Sequence, residues 1–455
     1  MAEAVPNEAT EKDIQALYHA LDEGRLSEVH RTINALPASE IAHFLESLPV
    51  DKRKVVWGQV DPAKEGEVLV DLRDEVRSSL IEDMGTEELV QATEDLDIDD
   101  LADIIHDLPE AVSNELLLSM DRENRELLER VLSYPEDSAG GLMNPEVVTV
   151  RPDVSLDVVL RYLRMRGDLP EPLDEIYVIG RNGHYRGRLS IRDLLTRDPD
   201  TLVADVMDQS TKPIEATTPA SEVAQDFEHH DWIAAPVVDE SNKLIGRITV
   251  DDVLDVIREE ADHSVMSMAG LDEEEDMFAP VLVSSKRRAV WLGINLLTAL
   301  LAAWAIGFFE ETLQKVVALA VLMPVVASMG GIAGSQTLTL MIRGMATGQI
   351  GVGNAKYLFS REMMIGLLNS LLWAVVLSVI TWLWFGDPRI GVVIALALIV
   401  NLVAGALAGV LIPLVLRRLS IDPAIAGGVV LTTVTDIVGY VSFLGFGTWF
   451  LLGGQ

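Results

Sequence analysis

The sequence contains no cysteine, and basic residues are scarce compared with acidic ones. Without cysteine the chain has neither disulfides nor thiolate metal sites, which is compatible with a cytosolic location for its soluble part. Lys and Arg number 35 against 71 Asp and Glu, a formal net charge of −36 at pH 7. This balance argues against nucleic acid and anionic membrane surfaces as partners, and it favours cations.

Several short motifs are also missing. The N-terminus reads MAEAVPNEATEKDIQ, without the basic start and apolar run of a signal peptide. The eight histidines show no paired ligand spacing such as H-E-x-x-H, which argues against a hydrolytic metalloenzyme. Because the sequence has neither a P-loop nor a phosphorylatable aspartate motif, any transport should be passive. We therefore do not expect an enzyme.

The negative charge is confined to one part of the chain. From residue 289 onward there are six acidic and seven basic residues, so nearly the whole net charge lies before that point. The near-neutral part holds five apolar runs, at about 289–309, 316–342, 363–385, 390–416 and 424–452. A membrane-spanning helix needs about 20 such residues. We predict a transmembrane domain of five helices; the alternative is a set of core helices in a large soluble protein.

Basic residues near the ends of these runs predict their orientation. If the first span starts in the cytoplasm, the outside ends carry only Lys315 and Arg389. The inside ends then carry Lys286, Arg287, Arg288, Arg343, Lys356, Arg361, Arg417 and Arg418. This positive-inside bias predicts a multi-pass protein of a cell (inner) membrane, with its N-terminus in the cytoplasm and its C-terminus outside.

One carboxylate lies deep in the last apolar run. Asp436 stands in LTTVTDIVGY (431–440), with no Lys or Arg deep in any run to pair with it. A carboxylate near a bilayer centre costs about 2.5–3.5 kcal/mol, so it usually faces water or a partner. Thr432 and Thr433 would offer oxygen ligands on the preceding turn, which suits a hard cation such as Mg²⁺. A hydrated ion pore and a buried, protonated structural carboxyl group both remain open.

The second run carries small and polar residues, in the stretch PVVASMGGIAGSQTLTLMIRGMATG (324–348). Small residues let helices approach closely, and hydroxyls bond across the contact. Close helix packing therefore explains this composition as well as a pore lining does.

The acidic part begins with a weak helical repeat. LPASEIAHFLESLP (36–49) recurs as MGTEELVQATEDLD (84–97) and as LDIDDLADIIHDLP (96–109). Repeats of paired helices stack into a superhelix, so an all-α superhelical domain is expected here. The acids of the last copy superficially match a calcium loop, but its sixth position is Asp100 rather than Gly, and we reject an EF-hand. Without further evidence, these acids form a solvated face.

Residues 140–256 alternate between short strands and helices in two related halves. IYVIGRNGHYRGRLSIRDLL (176–195) matches APVVDESNKLIGRITVDDVL (235–254). This duplicated pattern resembles an α/β tandem CBS pair, a regulatory module that often binds adenine nucleotides. The first half of the stretch 254–277 should form an acidic helix that continues from this module, and the run DEEED (272–276) should be a solvated linker.

The order of these parts resembles the MgtE family of magnesium channels. The most specific matches are the stretch 324–348, the stretch IDPAIAGGVVLTTVTDIVGY (421–440) and SAGGLMNPE (138–146). The resemblance implies a homodimer in a lipid bilayer, with spans two and five of both subunits lining one pore. It further implies that Asp436 binds hydrated Mg²⁺ and that Thr432, Thr433, Gly331 and Gln336 line the pore.

The resemblance also implies closure by cytosolic Mg²⁺, bound between acidic faces of the repeat domain, the CBS pair and a linker (plug) helix. The positions that match by motif are Glu67, Asp99, Asp103, Asp252, Asp255, Glu259, Glu260 and Asp422. Clustered carboxylates repel one another until a divalent ion neutralises them, so ion occupancy would bias the packing of these parts.

Three departures from the family pattern stand out. Ile332 and Ser335 replace two amides of the pattern G-G-N-x-G-N-Q in span two. His263 and Ser264 stand in the linker helix where acids are expected, so the sensor should hold fewer ions. Trp232 occupies a position where an aromatic side chain stacks on adenine; ordinary packing explains it equally well, and ATP binding at the CBS pair stays open.

We divide the chain into an acidic helical N-domain (1–137), tandem CBS domains (138–256), an acidic linker helix (257–285) and a transmembrane domain (286–455). The expected function is passive Mg²⁺ influx that cytosolic Mg²⁺ closes. Two alternatives are a proton-coupled transporter of divalent cations such as Mg²⁺ or Co²⁺, and a membrane-anchored cation sensor whose spans only dimerise the acidic part.

Overall fold

The computed structural model describes residues 8–94, 96–106, 108–167, 169–170, 172–271, 276–347, 349–350, 354–419 and 421–452. The chain divides into two compact units. The first unit consists of residues 1–261 and 274–280, and the second of residues 262–273 and 281–455.

The first unit starts with a series of short helices. They are α1 (Glu8–Asp22), α2 (Leu26–Ile33), α3 (Ala38–Glu46), α4 (Val50–Trp57), α5 (Pro62–Asp71), α6 (Asp74–Ile81), α7 (Thr86–Ala92), α8 (Ile98–His106), α9 (Glu110–Ser119) and α10 (Arg122–Val131). Prolines set several starts: Pro37, Pro49 and Pro109 immediately precede α3, α4 and α9. Proline is tolerated at this position because the N–H that it lacks would have no acceptor within the helix.

The sequence repeat corresponds to a repeat in packing. Its three copies place an equivalent side chain in the core, namely Ile41 of α3, Leu89 of α7 and Leu101 of α8, each at most 3% exposed. Helix α3 packs on α5, α5 on α7 and α7 on α9. This stepwise stacking confirms the predicted helical array. It also places α8 as a regular amphipathic helix through the segment that superficially matched a calcium loop.

Two three-stranded sheets follow, one from each related half. The strands are β1 (Thr149–Val150), β2 (Glu175–Ile179), β3 (Tyr185–Ser190), β4 (Ile214–Glu215), β5 (Ala234–Val238) and β6 (Leu244–Thr249). The accompanying helices are α11 (Leu156–Arg166), α12 (Ile191–Thr196), α13 (Val203–Val206) and α14 (Ala220–His230). In each sheet the first strand pairs parallel and the third antiparallel with the central strand, which carries an irregularity near its end. The duplicated sequence therefore gives a duplicated fold.

Helix α15 (Val250–Met268) continues directly from β6, as predicted for the linker helix. Of the run DEEED, residues 272–275 lie outside the described residues. Its last member, Asp276, departs from the expected solvated linker. The Asp276 side chain is 6% exposed, and its Oδ2 lies 2.9 Å from Nη1 of the fully buried Arg53. The Asp276 amide also donates a short hydrogen bond to Glu75 Oε2.

Among the residues that the structure describes, five helices of the second unit are long and apolar enough to cross a membrane. These are α16 (Val281–Gly307), α18 (Val317–Ala346), α19 (Ala355–Phe385), α20 (Pro388–Arg418) and α21 (Pro423–Gly447). The short helix α17 (Glu310–Lys315) precedes α18, and a π-helical turn, Thr448–Leu452, follows α21. Helix α20 packs against α18, α19 and α21 and forms the centre of this unit.

Two of these helices begin eight residues before the apolar runs from which we predicted them. Helix α16 begins at Val281 and therefore includes the basic residues 286–288. Helix α19 begins at Ala355 and includes Arg361 and Glu362. Lys, Arg and Glu are good helix formers, so a helix can continue past its apolar residues. Hydropathy therefore locates the lipid-facing part of a helix but not the residue at which the helix begins.

Candidate functional site

The segment with the deep carboxylate forms helix α21. Asp422 caps its start by accepting a 2.8 Å hydrogen bond from the Ala424 amide at Oδ1. Pro423 fills the first turn, where its missing N–H leaves no bond unmade. Asp436 lies in the middle of this helix with a half-buried side chain. The carboxylate therefore packs within the helical bundle but keeps one open side.

Hydroxyl groups occupy the turn before Asp436. Thr432 donates to the Gly428 carbonyl oxygen at 3.1 Å, and Thr433 donates to the Val429 carbonyl oxygen at 2.7 Å. Because each hydroxyl hydrogen is used within the helix, the oxygen lone pairs stay available for water or a cation. The two threonines predicted to line a pore thus present oxygen atoms beside the carboxylate.

Glycines bring α18 close to α21. A Cβ on Gly334 would lie 2.8 Å from Leu431 Cδ1, closer than real side chains pack. A Cβ on Gly331 would lie 4.0 Å from Thr435 Oγ1. The small residues of span two therefore serve close helix packing. The same packing places Gly331 next to the turn that carries Asp436.

The other predicted pore residue of α18 lies elsewhere. Gln336 is exposed, as are Ile332 and Ser335, and their spacing puts the three side chains on one face of the helix. Gly330 and Gly334 belong to the buried side. Within a single chain, Gln336 thus occupies a polar surface of the bundle rather than the contact with α21.

Two polar residues inside the bundle escaped our sequence reasoning. Asn401 of α20 is fully buried. Glu362 of α19 is 4% exposed; its Oε1 lies 2.8 Å from Arg361 Nη1, and its Oε2 accepts a 3.4 Å hydrogen bond from the Thr337 hydroxyl. The sequence did contain a sign of Asn401, because its amide interrupts the otherwise apolar run 390–416. We missed Glu362 because it directly precedes the run taken as span three.

Asp422, predicted as a metal ligand, contacts a side chain of α15. His263 Nε2 lies 2.5 Å from Asp422 Oδ2, while Asp422 Oδ1 keeps its role as helix cap. The residue that departs from the family pattern therefore directly contacts a predicted ligand. A hydrogen-bonded imidazole takes the place that a cation would need beside this carboxylate.

In the first unit, acidic side chains of α8 and α15 gather in a region that we call the acidic cleft. Its members are Asp99, Asp100, Asp103, Asp252, Asp255 and Glu259. Asp99 accepts a 3.1 Å hydrogen bond from Asn144 Nδ2. Asp252 accepts bonds from the Thr249 amide and hydroxyl, at 3.1 and 2.9 Å. The structure thus brings five of the predicted sensor residues together.

The electrostatics of the acidic cleft are unfavourable. The side chain of Asp103 keeps an exposed part. The surrounding protein nevertheless displaces enough solvent to raise its pKa to about 7, and the charge of Asp252 adds to the shift. Burial likewise raises the pKa of Asp252 to about 7. Burial and the nearby Asp74 raise the pKa of Glu259 to about 7. These carboxyl groups resist ionisation because burial and neighbouring negative charges outweigh the opposing attraction of Arg77 for Asp103.

Two further predicted sensor residues of the first unit, Glu67 and Glu260, lie near the acidic cleft in helices α5 and α15. Glu67 of α5 is exposed; burial raises the pKa of its neighbour Asp71, and the charges of Asp255 and Glu67 raise it further. Glu260 follows Glu259 on α15 and is exposed. Among the described residues, no three Asp, Glu or His side chains converge closely enough to hold a metal ion. The cleft therefore collects negative charge without a formed coordination shell.

Trp232 lines a cavity of about 710 Å³ in the CBS pair. Its indole stacks on His230, with ring centroids 4.6 Å apart, and packs edge to face on Phe227 at 5.7 Å. Arg188 and Lys212 line the same cavity together with Glu215, Glu222 and Asp226, and Arg188 is paired with Glu175 and Asp208. Trp232 thus packs against its neighbours and also lines a cavity of mixed charge, so both interpretations stay open.

Comparison with known proteins finds relatives that match most of the chain. Family profiles match the MgtE intracellular N domain at residues 36–137, the CBS domain at 139–200 and 203–259, and the MgtE divalent cation transporter at 323–446. The magnesium transporter MgtE of Thermus thermophilus is 33% identical over 95% of this chain and 97% of its own length. The magnesium transporter MgtE of Bacillus subtilis is 29% identical over 95% of this chain and 96% of its own length.

Among solved structures, the cytosolic domain of the Mg²⁺ channel MgtE in complex with ATP is 34% identical. The match covers 53% of this chain and 99% of that structure, with a TM-score of 0.49. The extent of the sequence matches settles the family. This chain is a multi-pass membrane protein, not an enzyme, and it belongs to the MgtE family of magnesium transporters.

Proposed function

We propose that the protein is a homodimeric channel for passive Mg²⁺ influx, with its N-terminus in the cytoplasm and its C-terminus outside. The observation that carries the proposal is Asp436, a half-buried carboxylate in the middle of a membrane helix, next to the glycine-lined approach of α18. A carboxylate at this depth marks an ion pathway by default.

The chemistry of this site suits hydrated Mg²⁺. Mg²⁺ binds oxygen ligands, loses its waters reluctantly, and is usually held by only one or two carboxylates. Asp436 supplies the carboxylate, and the hydroxyl oxygens of Thr432 and Thr433 supply acceptors for the retained waters. Gly331 leaves room beside them because it has no side chain.

The exposed face of α18 supports the proposal that two copies of the chain form the channel. Ser335 and Gln336 are polar and exposed on a helix that otherwise meets lipid or protein. Hydrocarbon cannot satisfy their hydrogen bonds, so a hydrated pathway or another protein surface should cover them. Pairing of two copies along this face would give one pore lined by α18 and α21 of both.

The acidic cleft is the proposed cytosolic sensor. Burial and, after it, the charges of neighbouring acids raise the pKa values of its carboxyl groups, so bringing the acids of α8 and α15 together carries an electrostatic cost that a bound divalent cation would reduce. Mg²⁺ would thereby favour the packed arrangement, which we assign to the closed channel. Helix α15 also carries His263, whose contact with Asp422 would tie the same helix to the start of α21.

A nucleotide is a second proposed ligand, at the cavity beside Trp232. An aromatic face beside Lys212 matches a base and its phosphates, and this favours ATP as a modulator. Equilibrium binding of ATP to wild type and to Trp232→Ala should differ by about 1–3 kcal/mol if the indole stacks on the base.

The proposal is tested by Mg²⁺ uptake into liposomes that contain the purified full-length protein. We compare wild type, Asp436→Asn and Asp387→Asn, a control at the exposed cap of α20. Wild type and the control should pass Mg²⁺ down its gradient, less so with millimolar Mg²⁺ inside, and Asp436→Asn should lose the flux. A requirement for a pH gradient would instead indicate proton-coupled transport, and full flux in Asp436→Asn would contradict the assigned ion site.

A further inference from the structure

A fully buried amide lies in the middle of the central membrane helix. Asn401 of α20 is 0% exposed. Its Nδ2 donates a 2.8 Å hydrogen bond to the Val326 carbonyl oxygen of α18. A polar side chain at this depth is unfavourable unless it is bonded, so the contact between α20 and α18 is specific.

The carboxamide occupies space that glycines leave in both helices of the proposed pore. A Cβ on Gly330 of α18 would lie 2.1 Å from Asn401 Nδ2, and a Cβ on Gly439 of α21 would lie 2.7 Å from the same atom. Gly330 adjoins Gly331, and Gly439 stands almost one turn after Asp436. One side chain therefore touches α18 and α21 just behind the ion site.

Stability alone does not account for this amide. Asn401 Oδ1 is buried and, among the described residues, has no hydrogen-bond partner. An orphaned buried acceptor is costly, and a leucine of nearly the same shape would avoid that cost. The chain thus keeps a polar group where an apolar one would pack at least as favourably.

We propose that Asn401 is a positioning residue for the Asp436 ion site. Its hydrogen bond to α18 and its fit against Gly439 of α21 together fix the spacing of the two helices around the hydrated ion. Because Mg²⁺ retains its waters, discrimination depends on a fixed spacing, and a small shift between the helices changes which hydrated ion fits. This inference rests on the proposed Mg²⁺ channel function.

The deciding variant is Asn401→Leu, which keeps the number and branching of the side-chain heavy atoms but removes the hydrogen bond. In liposomes with the full-length protein, its half-saturating external Mg²⁺ concentration should rise about five-fold, the ratio that one ordinary net hydrogen bond contributes. Flux of Mg²⁺ relative to Ca²⁺ should fall, while maximal Mg²⁺ flux and thermal stability stay at wild-type values or above. Ser370→Ala is the control, since in the described part of the chain that buried hydroxyl bonds to the Leu367 carbonyl oxygen of its own helix, α19.

A double variant tests the contact itself. Gly330→Ala should strongly reduce flux, because its methyl group collides with Asn401, and adding Asn401→Ala should restore part of the flux by clearing that space. Wild-type half-saturation and selectivity in Asn401→Leu, or no restoration in the double variant, would overturn the positioning role alone. Absence of Mg²⁺ flux in wild type would overturn the proposed function and this inference with it.

Discussion

The ion pair between Arg53 and Asp276 holds the end of the acidic linker on the helical repeat. Arg53 is 0% exposed and donates from Nε to the Leu45 carbonyl oxygen at 3.0 Å and from Nη2 to the Leu48 carbonyl oxygen at 3.1 Å. Asp276 supplies the opposite charge at 2.9 Å. Among the described residues, Asp276 is the carboxylate that neutralises this guanidinium.

The isosteric change Asp276→Asn removes this charge and keeps the shape. Breaking one partner of a buried pair costs about 3–5 kcal/mol, and the two carbonyl bonds that Arg53 retains favour the lower end, about 3 kcal/mol. For a unit of this size the loss corresponds to about 6–12 °C in the midpoint of thermal unfolding. The measurement is thermal unfolding of the full-length protein in detergent, followed at the first unit.

The control is Asp22→Ala, which removes an exposed ion pair with Lys52, the residue just before Arg53 in the chain. Exposed pairs contribute little to stability, so its midpoint should hardly move. The combined change Arg53→Met with Asp276→Leu should recover much of the loss, because no charge is then left buried. A midpoint for Asp276→Asn that matches the control would refute the claim that Asp276 neutralises Arg53.

Three further outcomes are expected. Without divalent cations, the first unit should lose stability as pH rises from about 4 to 7, because its acids with raised pKa values bind protons more tightly in the folded state than in the unfolded state. Thermal unfolding measures this loss, and added Mg²⁺ should make the midpoint depend less on pH. His263→Glu places two carboxylates together at Asp422, so half-inhibition of flux should need several-fold more internal Mg²⁺. Gly334→Ala should destabilise the protein by about 1–3 kcal/mol and reduce flux, whereas Gly428→Ala, with open space around it, should do neither.

The sequence predicted those parts of the fold that depend on local pattern or on duplication. The repeat of Ile41, Leu89 and Leu101 follows from helical periodicity, because each copy must bury the same face. The two sheets follow from the duplicated strands: Tyr177 pairs with Arg188 as Pro236 pairs with Arg247. Hydropathy located the five membrane helices because lipid demands a continuous apolar run.

Contacts between distant segments could not be predicted in this way. Asp276 looked like one more acid in a charged run, since only the fold shows the buried Arg53 that it meets. The role of Asn401 depends on two glycines far away in the chain, Gly330 and Gly439, which sequence alone explains as general close packing. Asp436 was found because a lone carboxylate in an apolar run is anomalous without any tertiary information.

The acidic cleft can be understood only from the local sequence and the contacts between distant segments together. Sequence supplied its acids, but a run of acids is normally a solvated face, and only the packing of α8 near α15 shows that these carboxyl groups raise one another's pKa values. A ligand shifts a two-state equilibrium only by its differential affinity, and a shift from 1:99 to 99:1 takes about 5.5 kcal/mol. Separated acids bind Mg²⁺ weakly, whereas gathered acids gain from every charge that the ion neutralises. On the proposed gating, the repulsion in the ion-free cleft is therefore what would make Mg²⁺ binding favour the packed arrangement over the open one.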